Sequence, residues 1–561
     1  MKLVCSNDRF EYDTYLLVKE FWPKEEIERQ TAGSDALFEV PGAPGDGAVL
    51  TCLYDMRRTV VSFEWAVGSV RETTESRKEE KTKEEGKTSD EEKEILEEGT
   101  VGPGAAVSYE YPVDEGLSEK EYKNAHMRNL YRGLSAITGQ NLPWGNLTGV
   151  RPVKPARQMV LAGATDEEVL KFYKETRFVS DGKSLLALEI AKREAGILSR
   201  LDPVKGYSLY IGIPFCPTRC LYCSFLSGPI AKWQNRVDEY LSCIEKELAF
   251  TKEAFAGRKI DTIYIGGGTP TALSADELKV LMNLVNGFLS DEDRKNLLEF
   301  TVEAGRPDSI TREKLKVLKE AGVSRISVNP QTMNEETLKR IGRAHSVEET
   351  VKAFLLAREE GFDNINMDLI LGLPGEGIRE VEHTLAEVEK LAPDSLTVHS
   401  LAIKRSALMK DWLREQASLN TSSEDKNSEH KGEESEEENG PVSETAGKPA
   451  NALAGHDIMT GMAAAAYASA ARQDLKPYYL YRQKNIAGNL ENVGFAKEGK
   501  YGIYNILMME EVQSIVAIGA GTVSKRVLSE KEISRCDTAK DIGLYMDGID
   551  EMIRRKEELF C

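Results

Sequence analysis

Ser208-Leu-Tyr-Ile-Gly-Ile-Pro-Phe-Cys-Pro-Thr-Arg-Cys-Leu-Tyr-Cys-Ser-Phe225 is the stretch on which the reading of this chain turns. Its apolar, β-branched and aromatic opening predicts a buried strand, which Pro214 ends. Directly beyond, Cys216, Cys220 and Cys223 stand in a C-x3-C-x2-C loop. Thiolate is the soft ligand that iron–sulfur centres select, so three of them this close point to a [4Fe–4S] cluster. Three cysteines leave one iron of such a cluster open to another ligand. A structural zinc site is the main competitor. It needs a fourth ligand, and no His or Cys follows at finger-like spacing. A disulfide framework suits neither an odd cluster nor a chain without a secretory signal.

Outward from the loop, residues 207–401 alternate between strand-like and helix-like segments. Strands are predicted at 208–213, 262–265, 299–303, 324–328, 364–370 and 395–401, with amphipathic helices such as 237–255 and 275–289 between them. Ser274 with Glu277 forms a capping box, and a helix over 311–321 stops at Gly322. This alternation predicts a parallel sheet with right-handed crossovers. Six units are too few for an eight-fold barrel, so the α/β fold expected is a partial (β/α)6 TIM-like barrel.

Working groups of such a barrel sit at the C-terminal ends of its strands. The cysteine loop follows the first strand, and Gly266-Gly-Gly-Thr-Pro270 follows the second, where glycines let a backbone approach a ligand closely. Glu303 ends the third strand, Gln331 follows the fourth, and Asp368 interrupts the apolar run of the fifth. Arg343 follows the helix after Gln331. Each residue alone would read as solvated or ion-paired; convergence on the rim that carries the cysteines reads as a binding site.

The rest of the chain divides by composition. Residues 1–116 are expected to form a β-rich domain, part of a mixed β/α N-terminal region, with a turn at 42–47 and strands at 48–54 and 59–67. Its 71–100 tract, dense in Lys and Glu, reads as a solvated insertion. Residues 117–200 read as a helical connection, in which Trp144 and Arg151 are expected to pack rather than bind. The barrel is assigned to 201–413, a second acidic insertion to 414–452, and a C-terminal α/β extension to 453–561. Gly519 and Gly521 in that extension lack a third fingerprint glycine, which argues against a dinucleotide-binding domain.

With 561 residues the chain can hold two to four domains, and its net charge of −20 weighs against general binding to nucleic acid or anionic membrane. Eight cysteines without paired spacings, no signal peptide and no bilayer-length apolar run predict a cytoplasmic location.

The three-cysteine loop with aromatic Tyr222 resembles the radical SAM superfamily, whose fourth iron is chelated by S-adenosylmethionine (SAM). Gly266-Gly-Gly-Thr-Pro-Thr271, Arg325-Ile-Ser-Val-Asn-Pro-Gln331, Gly342-Arg-Ala-His345 and Asn366-Met-Asp-Leu-Ile-Leu-Gly-Leu-Pro-Gly375 narrow the likeness to the oxygen-independent coproporphyrinogen III oxidase group. Within it, the Asn-Pro-Gln variant, the long N-terminal region and Asn141-Leu-Pro-Trp-Gly145 are similar to the HemZ-type coproporphyrinogen dehydrogenases. By motif, the resemblance implies that Cys216, Cys220 and Cys223 hold the cluster, and that Tyr210, Gly267 and Glu303 contact SAM. Tyr222, Gly268, Thr269, Gln331, Arg343, Asp368, Ala402 and, by the glycine loop alone, Val523 match further SAM-binding positions, some of which serve a second SAM in that group.

The implied reaction is the oxidative decarboxylation of two propionates of coproporphyrinogen III to vinyl groups, giving protoporphyrinogen IX, with a reductant such as flavodoxin or ferredoxin. A second reading follows from Ser224-Phe225, which stands where the oxidases carry a fourth cysteine and matches the HemW-type haem chaperones. On that reading the chain binds SAM, a cluster and haem without decarboxylation, and His399 and Tyr481 are candidate axial ligands. A third, radical modification of RNA, is disfavoured by the acidic chain and the lack of a basic patch.

Overall fold

The computed structural model describes residues 1–6, 9–23, 25–31, 48–54, 57–64, 106–225, 227–402, 409, 412, 456–483, 490–529 and 532–561. The turn at 42–47 and both expected insertions lie outside the described residues. No described helix is long and apolar enough to cross a membrane.

The chain forms two compact units, one of residues 1–149 with 166–185, the other of residues 150–165 with 186–561. In the first, strands β1 (Lys2–Cys5), β2 (Glu28–Thr31), β3 (Val49–Tyr54), β4 (Arg58–Glu64) and β5 (Ala106–Pro112) form a sheet in the order β2-β1-β3-β4-β5. The β1 pairings are parallel and those among β3, β4 and β5 antiparallel. Thr14, Leu17, Val18 and Phe21 recur at helical spacing, and helix Glu11–Phe21 buries that face where the sequence reading expected only strands and turns. Helix Glu119–Thr138, read as the start of a connection, joins the same core: Tyr122, Leu130 and Leu134 pack with Leu3, Leu50, Val61 and Phe63.

The second unit is built on one long sheet. Its strands are β6 (Gly206–Ile213), β9 (Lys259–Gly267), β10 (Glu299–Glu303), β11 (Arg325–Ser327), β12 (Ile365–Leu371) and β13 (Ser395–Ser400), all the strands expected, each parallel to the next. A small pair, β7 (Phe215–Cys216) and β8 (Gly228–Pro229), brackets the cysteine loop. Leu209, Ile211, Ile263, Ile265, Val302, Ile326, Met367 and Leu396 are buried along these strands, the near-continuous apolar pattern of a sheet covered on both faces.

The C-terminal extension continues this sheet at both ends. β14 (Lys476–Arg482) and β15 (Glu491–Ala496) add antiparallel beside β13. At the other end β16 (Ser514–Ile518) pairs parallel with β6, from Ser514↔Tyr207 to Ile518↔Ile211, and β17 (Val523–Ser529) and β18 (Glu532–Asp537) follow antiparallel. The order β14-β15-β13-β12-β11-β10-β9-β6-β16-β17-β18 leaves the barrel partial and open, with a seventh parallel strand drawn from the extension. The loop Gly519–Gly521 leads from β16 into an antiparallel strand rather than a helix, so it has no βαβ context.

Candidate active site

The cysteine loop leaves β6 at Pro214 and is closed at its base, where the Gly228 N–H donates to the Pro214 carbonyl at 2.9 Å. Phe215 is buried and meets Tyr240 edge-on, anchoring the strand end. Further along, the Leu221 N–H donates to the Ile341 carbonyl and the Met409 N–H to the Leu221 carbonyl. The thiols of Cys216, Cys220 and Cys223 are free, Cys220 being buried and the others half-buried. Burial pushes the Cys223 thiol up, and the neighbouring Cys220 and Cys216 add to that. A metal centre takes such a thiol as its deprotonated form on binding.

The second strand end supports this loop. The Gly268 N–H donates to the Ile213 carbonyl at 2.8 Å and the Thr269 N–H to the Phe215 carbonyl at 2.7 Å. A Cβ on Gly268 would lie 2.5 Å from the Phe215 oxygen, so only glycine fits there. The Thr269 hydroxyl lies 3.5 Å from the Cys216 sulfur.

Two further groups stand on the same strand ends. Around Glu303, the Tyr264 hydroxyl donates to Oε1 at 2.5 Å, and the Gly267 N–H also donates to the carboxylate. Burial pushes the Glu303 carboxyl up to about 7, and the charge of Asp368 adds to this. Tyr210 stacks with Tyr264 at 6.1 Å, and both rings stack on Tyr504, which the C-terminal extension supplies.

In the second group, Gln331 adopts a left-handed backbone with φ of 69°, which few non-glycine residues tolerate without a compensating interaction. Its N–H donates to the Asp368 carbonyl and its own carbonyl accepts from the Ile370 N–H, both at 3.0 Å. Asn366 Nδ2 donates to Asp368 Oδ1 at 2.7 Å, and the Asp368 N–H to Asn329 Oδ1 at 3.2 Å. Arg343 donates through Nη2 to the carbonyls of Asn329 and Gly305, while its buried Nε has no hydrogen-bond partner among the described residues. Tyr222 packs against Ile341, Ile370, Leu373 and Leu401 and feels the charges of Arg343 and Cys220, and Ala402 lies two residues beyond β13.

The expected residues thus gather at one end of the parallel strands. Val523 opens β17 directly after the turn that leaves the same end of β16, and it is 39 % exposed. Trp144 is buried, and Arg151 donates to the carbonyls of Met509 and Glu510 at the end of helix Ile503–Glu510. Sequence reasoning missed Tyr264, Tyr504, Asn329 and Arg306. Asn329 was within the quoted Asn-Pro-Gln motif; the others carry no local signal.

The donor set fits the expected cofactors. Among the described residues no three His, Cys, Asp or Glu side chains converge around a single ion. Three thiols spread along one loop suit a four-iron cube, in which each thiolate takes its own iron, better than one tetrahedral zinc. Beside them, a buried carboxyl and an arginine with an unpartnered Nε suit a ligand bearing hydroxyl, ammonium and carboxylate groups.

Residues 210–388 match the model of the radical SAM superfamily. The chain is 40 % identical over 450 residues to the oxygen-independent coproporphyrinogen-III oxidase-like protein HemZ of Bacillus subtilis, covering 79 % of this chain and 82 % of that protein. It is 43 % identical over 197 residues to the heme chaperone HemW of the same organism, covering 35 % of this chain and 51 % of the chaperone. Among solved structures, coproporphyrinogen III oxidase (HemN) from Escherichia coli aligns with a TM-score of 0.46 and 20 % identity, over 64 % of this chain and 73 % of that one.

Proposed function

The chain belongs to the radical SAM superfamily and, within it, to the family of the coproporphyrinogen-III oxidase-like protein HemZ, and from that premise we propose that it decarboxylates coproporphyrinogen III to protoporphyrinogen IX without oxygen. Its cofactors are a [4Fe–4S] cluster and SAM. When bound, the two together supply the one-electron chemistry that removes a hydrogen atom from a substrate carbon. The observation that carries the proposal is likeness to HemZ over most of both chains, well beyond the barrel.

In this reading Cys216, Cys220 and Cys223 hold three irons. The peptide edge at Gly267, Gly268 and Thr269 lies along SAM and presents backbone carbonyls to it. Glu303 accepts from the ammonium or ribose hydroxyls, with Tyr264 fixing its rotamer. Arg343 turns its unpartnered Nε toward a carboxylate, and Asp368 and Gln331 present acceptors and donors between them. The roles of Tyr210, Tyr222 and Ala402 are to wall the pocket and exclude water, and Val523, at the start of β17, borders the same strand end. A second SAM and a flavodoxin- or ferredoxin-like reductant complete the proposal.

A haem chaperone is the second reading. It is favoured by the 43 % identity to HemW over 197 residues and by Phe225, which follows Ser224 and is 66 % exposed beside the cysteines. Of the axial ligands that reading offered, His399 Nδ1 and the Tyr481 hydroxyl lie 3.4 Å apart, engaged with each other. Incubating the cluster-loaded chain with reductant, SAM and coproporphyrinogen III under anaerobic conditions, followed by mass spectrometry of the porphyrins, separates the two. Vinyl product supports the oxidase; stoichiometric haem binding without it supports the chaperone.

A further inference from the structure

Cys220 is the most buried of the three loop thiols, and a buried cation faces it. Arg306 lies just beyond β10, its side chain 3 % exposed, and its Nη1 stands 3.6 Å from the Cys220 sulfur. The same nitrogen donates to the Thr218 hydroxyl at 3.1 Å and lies 3.4 Å from the Thr218 carbonyl. The far side of the guanidinium is pinned. Nε and Nη2 donate to the two oxygens of Asp308 at 2.8 and 2.7 Å, a bidentate pair, and the Ser309 hydroxyl donates to the Arg306 carbonyl. His345 backs Asp308, with Nδ1 3.9 Å from Oδ1. One face of the fork is thus clamped by a carboxylate while the other is aimed at a cluster thiol.

We propose that Arg306 sets the reduction potential of the cluster through Cys220, with Asp308 as the positioning residue that aims it. The inference rests on Cys220 being a cluster ligand. Reduction adds negative charge to the cluster and its thiolates, and a fixed cation donating to one sulfur in a buried setting stabilises that reduced state. Groups that donate to metal ligands tune a centre in this way and also hold the ligand in place. An arginine serving only to hold the loop would be complete with its two Thr218 contacts. The third contact, to the sulfur, is the one that gives the cluster a potential it would not otherwise have.

The test compares the full-length wild type with Arg306→Met and Arg306→Lys after anaerobic cluster reconstitution. Iron and sulfide are assayed, and the midpoint potential is read by electron paramagnetic resonance during a redox titration. The methionine variant is expected to carry a cluster that is harder to reduce and held about 10- to 100-fold less tightly against a chelator. Lysine, which keeps the charge but not the fork, is expected to recover part of the shift. A methionine variant with full iron and the wild-type potential overturns the proposal. Should that variant take up no iron, the wild type decides alone: with arginine labelled by nitrogen-15, pulsed resonance of its reduced cluster shows an arginine nitrogen coupling, and absence of that coupling overturns the proposal. A wild type that binds no iron at all overturns instead the assignment of the cysteines as ligands, and this inference with it.

Discussion

Glu303 is the carboxyl of the candidate site whose titration its surroundings shift. Its carboxyl is raised from an ordinary 4.5 to about 7, chiefly by burial. For an acid shifted upward, the stability that its neutral form contributes is present below the unfolded value and lost as pH rises through the folded one. The ligand-free protein therefore loses stability between about pH 4.5 and 7, where the carboxyl ionises in the unfolded chain while burial, with no ligand partner, keeps it neutral in the folded one. A ligand ammonium or hydroxyl would supply that partner. SAM binding measured by calorimetry is expected to tighten about tenfold from pH 6 to pH 8, following the ionised fraction. Glu303→Gln should bind weakly and without that slope; an equal slope in the variant would remove Glu303 from the site. Residues such as Glu303, Gln331 and Asp368 were legible because parallel strands deliver their ends to one rim, so polar residues at those ends can be read together. Arg306 was not, since its partner Cys220 is 86 residues upstream and nothing local announces the contact.

At the scale of elements, the strand-end loops are held by buried polar clamps. The Tyr240 hydroxyl donates to the Gly212 carbonyl at 2.6 Å and accepts from the Ala520 N–H at 3.0 Å, tying the ends of β6 and β16 together. Glu247, on the same helix Val237–Ala254, accepts from the Gly519 N–H at 2.8 Å and the Tyr545 hydroxyl at 2.6 Å, and pairs with Lys556. Both members of that ion pair are fully buried. Lys556→Met would strand the carboxylate and is expected to cost about 3–5 kcal/mol in urea unfolding, with much of it recovered when Glu247→Gln is added. Gly268→Ala places a methyl 2.5 Å from the Phe215 oxygen, so the cysteine loop must move. Reconstituted iron per chain should fall sharply in that variant while the fold, followed by circular dichroism, persists. The six barrel strands were legible from strand–helix alternation. β16 was not, because four apolar residues after a serine do not say which strand they join, and β6 lies about three hundred residues away. Helix Glu11–Phe21 was missed in a segment whose Thr, Tyr, Val and Phe content pulled the reading toward strand.

At the scale of the whole molecule, the extension completes the fold that carries the site. β16 covers the edge of β6, the strand that leads into the cysteine loop, and Tyr504 stacks beneath Tyr210 and Tyr264. A chain ending before residue 503 would present β6 as an unpaired apolar edge, and it is expected to aggregate and take up no iron. If such a truncation stays soluble and binds iron as the full chain does, the extension is dispensable to the site.

The measurement closest to the central claim is the ratio of methionine formed to vinyl groups formed when cluster-loaded protein meets SAM, reductant and coproporphyrinogen III without oxygen. The oxidase reading predicts that both accumulate over many turnovers and that both vanish in Cys220→Ala. Methionine release with no vinyl product, or haem bound once per chain with neither, would contradict it.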